Sequence, residues 1–193
     1  MNKVLVVYAS RHGATRGIAQ RIGDVLRSDG LEVEVAPADH AAGVGTADAV
    51  VVGSAVYMGS WLKEGIDFIK RNEVMLAELP LWLFSSGPLP GSSMDKVPSG
   101  DPLTDALGPE QGPGSGGRKK IAEITAATYP KDHRVFLGAF DPDDPPTATS
   151  ERLVRMLPAV KKALPAGDFR DWDDIEAWAH EIATTLMSPA IPA

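Results

Sequence analysis

The chain has no cysteine, which removes disulfides, thiolate nucleophiles, iron–sulfur clusters and thiolate zinc sites at a stroke. Any redox chemistry must therefore come from a bound cofactor. It also has no apolar run near the ~20 residues that a membrane-spanning helix needs, and no basic N-terminal segment leading into a long apolar one, so a cytoplasmic location is expected. Positive charge is scarce as well: 19 Lys and Arg stand against 26 Asp and Glu, for a net charge of −7. That balance repels phosphate backbones and predicts no nucleic-acid partner, although backbone donors at one site can still bind a single phosphate.

What is present suits a globular α/β protein. Of the 193 residues, 44% are apolar and 23% charged, and a chain of this length can bury a full core in one domain spanning residues 1–193. Lys3 to Ala9 is a near-continuous β-branched apolar run, the pattern of a strand covered on both faces. Ile18, Ile22, Val25 and Leu26 follow at helical spacing, with Gly30 as the stop signal. "LEVEVA", Leu31 to Ala36, alternates strictly and predicts an edge strand. Ala49 to Gly53 and Leu81 to Ser85 predict two more buried strands, with a helix between them marked by Leu62, Ile66 and Ile69. A helix over Lys119 to Thr128, a strand over Arg134 to Phe140 ("RVFLGAF"), and helical patterns through Leu153, Leu157 and Val160 and through Ile175 to Leu186 complete the series. Asp171 or Asp173 is the expected N-cap of the last helix. The alternation implies a doubly wound five-stranded parallel sheet, order 2-1-3-4-5, with helices on both faces and ligands at the carboxyl ends of strands one and three.

The loops at those ends are small and hydroxylic. Ser10, Arg11, His12, Gly13, Ala14 and Thr15 lie between a buried strand and a helix, where free backbone N–H groups and the helix dipole favour an anion or, with no ligand, simply a helix cap. Two other phosphate readings lack their residues: there is no Gly-x-x-x-x-Gly-Lys-Ser/Thr and no Gly-x-Gly-x-x-Gly in the first turn. An aspartate-based phosphoryl receiver would need acidic residues where Tyr8, Ala9, Ser54 and Ala55 stand. The second loop, "GSAVYMGSWLK", sets Tyr57, Met58 and Trp61 among small residues, suited either to stacking on a flat aromatic ligand or to the core edge. The third, "SSGPLPG", is again small and contains no aromatic residue. His40, His133 and His180 lie outside all three loops and are expected at the surface or as caps, so no catalytic side chain and no metal site is assigned.

With those residues in view, the chain resembles the flavodoxin-like FMN proteins, most nearly the flavodoxin-type, menaquinone-dependent protoporphyrinogen IX dehydrogenases. The likeness runs through Ser10 to Arg16 with Ile18 and Ala19, through Gly53 to Gly59, and on to "VFLGAF" and "DFRDWDDIEAWAHEIA". It implies FMN as cofactor. Ser10, Arg11, His12, Gly13, Ala14 and Thr15 would take its phosphate; Ser54, Ala55, Val56, Tyr57, Met58 and Gly59 would flank the flavin ring; Ser85, Ser86, Gly87 and Pro88 would line its other side. His12 stands where many flavodoxins have Ser or Thr. "DPDDPPT", Asp141 to Thr147, is acidic where the dehydrogenases are basic and aromatic, which offers little attraction to a porphyrin or to a membrane surface carrying a quinone.

Three functions follow as alternatives. One is an oxidoreductase passing electrons between FMN and a small organic substrate of quinone or protoporphyrinogen type. Another is an electron carrier docking on redox partner proteins, and the third a flavin-free binding module. The Gly/Pro-rich insertion at about residues 88–118 bears on the choice: 14 of the 31 residues from Gly87 to Gly117 are Gly or Pro, so it reads either as a lid over the crevice or as a disordered surface insertion.

Overall fold

The computed structural model describes residues 2–57, 60–87, 115–141 and 166–188. Its main sheet joins β1 (Lys3–Ala9), β2 (Glu32–Pro37), β3 (Ala49–Tyr57), β5 (Leu81–Ser86) and β6 (Asp132–Phe136) in the order β2-β1-β3-β5-β6, all parallel. Counting these five in chain order gives the expected 2-1-3-4-5. A two-residue strand, β4 (Ser60–Trp61), is added antiparallel to the end of β3. Helices α1 (Ala14–Ser28), α2 (Lys63–Glu78), α3 (Ser115–Thr128) and α4 (Trp172–Met187) complete the described elements with the small ribbon of β7 (Ala139–Phe140) and β8 (Gly167–Asp168).

Strand alternation divides the core into two layers. Leu5, Val7, Val50, Val52, Leu81 and Leu83 face one way and meet Phe68, Ile69 and Leu76 of α2 and Ile124 of α3. Val4, Val6, Val51, Trp82, Phe84 and Phe136 face the other way and meet Ile18, Ile22 and Leu26 of α1 and Ile175, Trp178 and Ile182 of α4. β2 is the edge its alternation predicts, with Glu32 and Glu34 exposed. The stop signals work as expected too. Gly30 (φ 91°) follows α1, its N–H bonding to Arg27 O at 3.0 Å while Leu31 N–H bonds to Leu26 O at 3.1 Å, the paired closure that satisfies terminal carbonyls. Asp171 caps α4, accepting from Asp174 N–H at 3.1 Å.

Three expectations change. β3 runs on to Tyr57 rather than stopping at Gly53, because residues 54–56 are buried and pair with both neighbouring strands or with β4. The "RVFLGAF" strand is two pieces: β6 starts at Asp132 and ends at Phe136, and Ala139–Phe140 leaves the main sheet to pair with Gly167–Asp168. Gly138 marks the departure, for a Cβ there would sit 3.2 Å from Gly87 Cα. Helix α3 begins at Ser115, four residues before Lys119, so residues 115–118 of the predicted insertion are helical. The rest of that insertion, most of the acidic 141–147 stretch and the Leu153 to Val160 helix lie outside the described residues.

Gly53 opposes Phe84 across the β3–β5 ladder, and a Cβ at Gly53 would fall 1.9 Å from the Phe84 ring. Gly53→Ala must therefore displace a fully buried aromatic, an overpacking cost of roughly 1–3 kcal/mol. Urea denaturation should show a lower midpoint at an unchanged slope; an unchanged midpoint would mean that the ring moves aside freely.

Candidate functional site

The carboxyl ends of β1, β3 and β5 open side by side at one edge of the sheet, and the three sequence-predicted loops meet there. After β1 the chain turns through Ser10, Arg11 and His12 to Gly13, the N-cap of α1, which is left-handed at φ 85° and ψ −13°. A side chain at such a position costs roughly 1 kcal/mol. Gly13 N–H donates to Ser10 Oγ at 3.2 Å, which leaves the Ser10 hydroxyl proton to point elsewhere. Ala14 and Thr15 already belong to the first turn of α1, and Thr15 is buried. That turn has neither a side-chain cap nor an acidic residue, and it carries the exposed Arg16. Its leading N–H groups and the cations beside them together suit an anion.

Arg11 ties this loop to the next. Its guanidinium lies over the Tyr57 ring, 5.0 Å from the centroid, a cation–π contact spanning the gap between β1 and β3. Ser54, Ala55 and Val56 are strand residues rather than loop residues, and Tyr57 ends β3. Ser54 is turned inward: its hydroxyl accepts from Leu62 N–H at 3.0 Å and donates to Ala55 O at 2.9 Å. Met58 and Gly59, at the turn into β4, lie outside the described residues, as does Pro88.

Of the two roles open to it, stacking on a flat ligand or packing at the core edge, Trp61 takes the second. It is only 3% exposed and packs in the α2 and α3 layer, with its indole N–H donating to Ser85 Oγ at 2.8 Å. The reason is pairing. Val56 opposes Trp61 across the hairpin, so both side chains project from the same face of the sheet, the apolar one.

Ser85 and Ser86 end β5 and point to opposite faces. Ser85 Oγ also lies 2.9 Å from His133 Nε2, whereas Ser86 Oγ is buried without a hydrogen-bond partner. An unpaired buried hydroxyl costs on the order of 1–3 kcal/mol, and beside the crevice it offers a ligand-binding donor. Gly87 (φ 134°) follows, so close to β3 that a Cβ would lie 3.1 Å from Val56 O.

Two contributors were invisible in the sequence. His133, expected at the surface or as a cap, is half-buried on β6, edge-on to Trp61 with ring centroids 6.1 Å apart. Burial pushes its pKa below the usual imidazole value, against the opposing influence of the Asp132 charge. Only the β5–β6 register, which sets Leu83 against His133, brings it to Ser85. Arg170 arrives from beyond β8. Its Nη1 lies 3.4 Å from Ala14 O, Asp168 grips Nε and Nη2 at 2.8 and 2.6 Å, and Trp172 lies beneath at 4.4 Å. Gly17 admits it, since a Cβ there would stand 2.5 Å from Nη1. His40 and His180 are exposed beside Asp39 and Asp29, as expected. Among the described residues no group of three acidic or imidazole side chains could hold a metal, and no helix is long and apolar enough to cross a membrane.

A family model described as a flavodoxin domain matches residues 5–143. No curated protein matches the chain. Among solved structures, a flavodoxin from the domain Archaea superposes with a TM-score of 0.54 at 19% identity, covering 96% of this chain and 99% of that one. Oxidised flavodoxin 1 from Bacillus cereus gives 0.54 at 14% identity, over 97% and 100%. Rubredoxin oxygen:oxidoreductase from Desulfovibrio gigas gives 0.56 at 15% identity, over 96% of this chain but 36% of that one. Likenesses at these identities speak to the fold.

The lowered His133 pKa has a measurable consequence for stability. The unfolded chain takes up a proton near pH 6.5, while the folded protein resists it to a lower pH. Stability is therefore full above pH 6.5 and declines as the pH falls through that value toward the folded pKa, by at most about 1.4 kcal/mol per pH unit. His133→Gln should flatten that part of the urea-midpoint profile; an identical acid slope in the variant would contradict the assignment.

Proposed function

This chain belongs to the flavodoxin-domain family, and from that premise we propose that it is an FMN-dependent oxidoreductase whose flavin exchanges electrons with a small organic substrate of quinone or protoporphyrinogen type. Membership of the family implies FMN as the cofactor and electron transfer as the kind of work. The residues present fit that cofactor: an uncapped helix N-terminus flanked by Arg11 and Arg16 suits its phosphate, and the orphaned Ser86 hydroxyl suits a polar ring edge. When bound, FMN supplies the electron chemistry itself.

The protein's part is to bind and orient. Ser10, Arg11, His12, Gly13, Ala14 and Thr15 take the phosphate through backbone N–H groups, the Ser10 hydroxyl and the Arg11 charge. Ser54 holds the base of the β3–β4 hairpin by its bonds to Leu62 and Ala55, so that Ala55, Val56 and Tyr57 would present a fixed wall to the ring, with Met58 and Gly59 following them in the sequence. Ser85, Ser86 and Gly87, with Pro88 next in the sequence, would line the opposite wall, where the Ser86 hydroxyl could donate a hydrogen bond to the cofactor while the Ser85 hydroxyl stays engaged with Trp61 and His133.

The observation that carries the reading is the composition of that opposite wall. From Ser85 to Thr128 the sequence contains no Phe, Trp, Tyr or His, so the segment after β5 has no ring to stack on the flavin. A face lined by Ser and Gly is open to a substrate. The net charge of −7 favours a second reading, a carrier docking on basic protein partners.

Flavin titration followed by anaerobic turnover tests both. FMN should bind one to one, and Gly13→Ala should weaken FMN by about tenfold while sparing riboflavin, which has no phosphate. The reduced protein should then pass electrons to a soluble quinone at a rate insensitive to salt. Failure to react with quinones, together with steeply salt-dependent transfer to a protein acceptor, would replace the enzyme with the carrier.

A further inference from the structure

We infer that Trp61, Ser85 and His133 form a three-part clasp that positions the flavin-ring wall of the site, with His133 as a positioning residue that touches no part of the cofactor. This inference rests on the FMN-binding reading above and adds to it two residues outside its contact set, Trp61 and His133, joined through the Ser85 hydroxyl. The end of β3, residues 54–57, pairs with a returning limb only two residues long, Ser60–Trp61. So short a strand cannot hold its register by ladder bonds alone. Ser54 fastens the base of this hairpin through Leu62 N–H, and Trp61 adds a second constraint by reaching across to β5, where its N–H donates to Ser85 Oγ at 2.8 Å. Ser85 Oγ in turn lies 2.9 Å from His133 Nε2 on β6.

The proton count fixes how the clasp works. Ser85 has one proton to give; its oxygen already accepts from Trp61 and no other acceptor for that proton is found among the described residues, so the clasp assigns the proton to His133 Nε2. His133 must therefore be neutral, with its own proton on Nδ1. The desolvation that depresses its pKa favours that state. Each group is buried or half-buried, and the T-shaped contact of Trp61 with His133 closes the triangle. Removing any one member leaves the other two without their direction, so the three should act as a unit.

The test uses Trp61→Phe, Ser85→Ala, His133→Phe and the conservative His133→Gln, which keeps an acceptor, together with the Trp61→Phe/His133→Phe double variant. Amide exchange of residues 55–62 is measured on cofactor-free protein, and FMN and riboflavin affinities on each variant. The expected result is exchange at 55–62 faster by about threefold to tenfold in the first three variants, the worth of one buried hydrogen bond. FMN and riboflavin should weaken by a similar factor, because the clasp acts on the ring rather than the phosphate. The double variant should lose no more than either single one, and His133→Gln should retain most of the wild-type behaviour. Unchanged exchange at 55–62 in folded variants, or strictly additive losses, would overturn the clasp. Should the wild-type protein bind neither flavin, the FMN reading fails while the exchange measurement still decides the clasp.

Discussion

The parallel pairing of β3 between β1 and β5 is the constraint on which the site depends. β3 is hydrogen-bonded on both edges and packed on both faces, and eight of its nine residues are buried. Such a strand has no freedom to shift, because a one-residue slip would exchange the α1 and α4 layer for the α2 and α3 layer. Its fixed register sets Ser54 beside Ala9 and Ser85, and Ala55 beside Ser86. Every loop that meets at the crevice is thus positioned by the same ladder. Phe84 filling the space over Gly53, and Gly87 lying against Val56, continue that control to the last residue of each strand.

On this rigid edge the polar groups divide into two sets. Ser54 and Ser85 are consumed internally, one fastening the start of α2 and the other joining Trp61 to His133. The Ser86 hydroxyl has no partner, Ser10 Oγ serves as an acceptor, and the first turn of α1 has no side-chain cap, which is why these groups are the ones proposed for the ligand. The division follows from strand alternation, which sends Ser85 into one layer and Ser86 into the other. It also explains how a site can be firm without being closed: the supporting bonds lie behind it in the core. Arg170, anchored by Asp168, whose carboxyl it holds below the usual range, adds a brace on the first turn of α1.

Much of this was legible from local pattern. Apolar runs located β1, β3 and β5, strict alternation located the edge strand β2, and Gly30 and Asp171 marked helix ends by conformational preference and side-chain capping. The crevice followed from topology. The unread parts depend on contacts between segments distant in sequence. Trp61 stays open between a ligand-stacking and a core-edge role because nothing local reveals that Val56 pairs with it and turns it inward. His133 reads as a surface residue because its partner lies 48 positions away. Arg170 carries no local signal of its role, since only the gap left by Gly17, 153 residues earlier, admits it. The break in the fifth strand was hidden for a similar reason: Gly138 yields to Gly87, a clash that exists only after β5 and β6 have paired.

The proposed function requires the carboxyl ends of β1, β3 and β5 to form one FMN site together. Amide chemical shifts of the labelled protein, recorded as FMN is added, test it most directly. Large shifts should cluster at residues 10–16, 54–57 and 85–87, with those at 10–16 much reduced when riboflavin replaces FMN. Shifts confined to one of the three segments, or centred on the groove between α2 and α3 around Ile66 and Glu123, would contradict it.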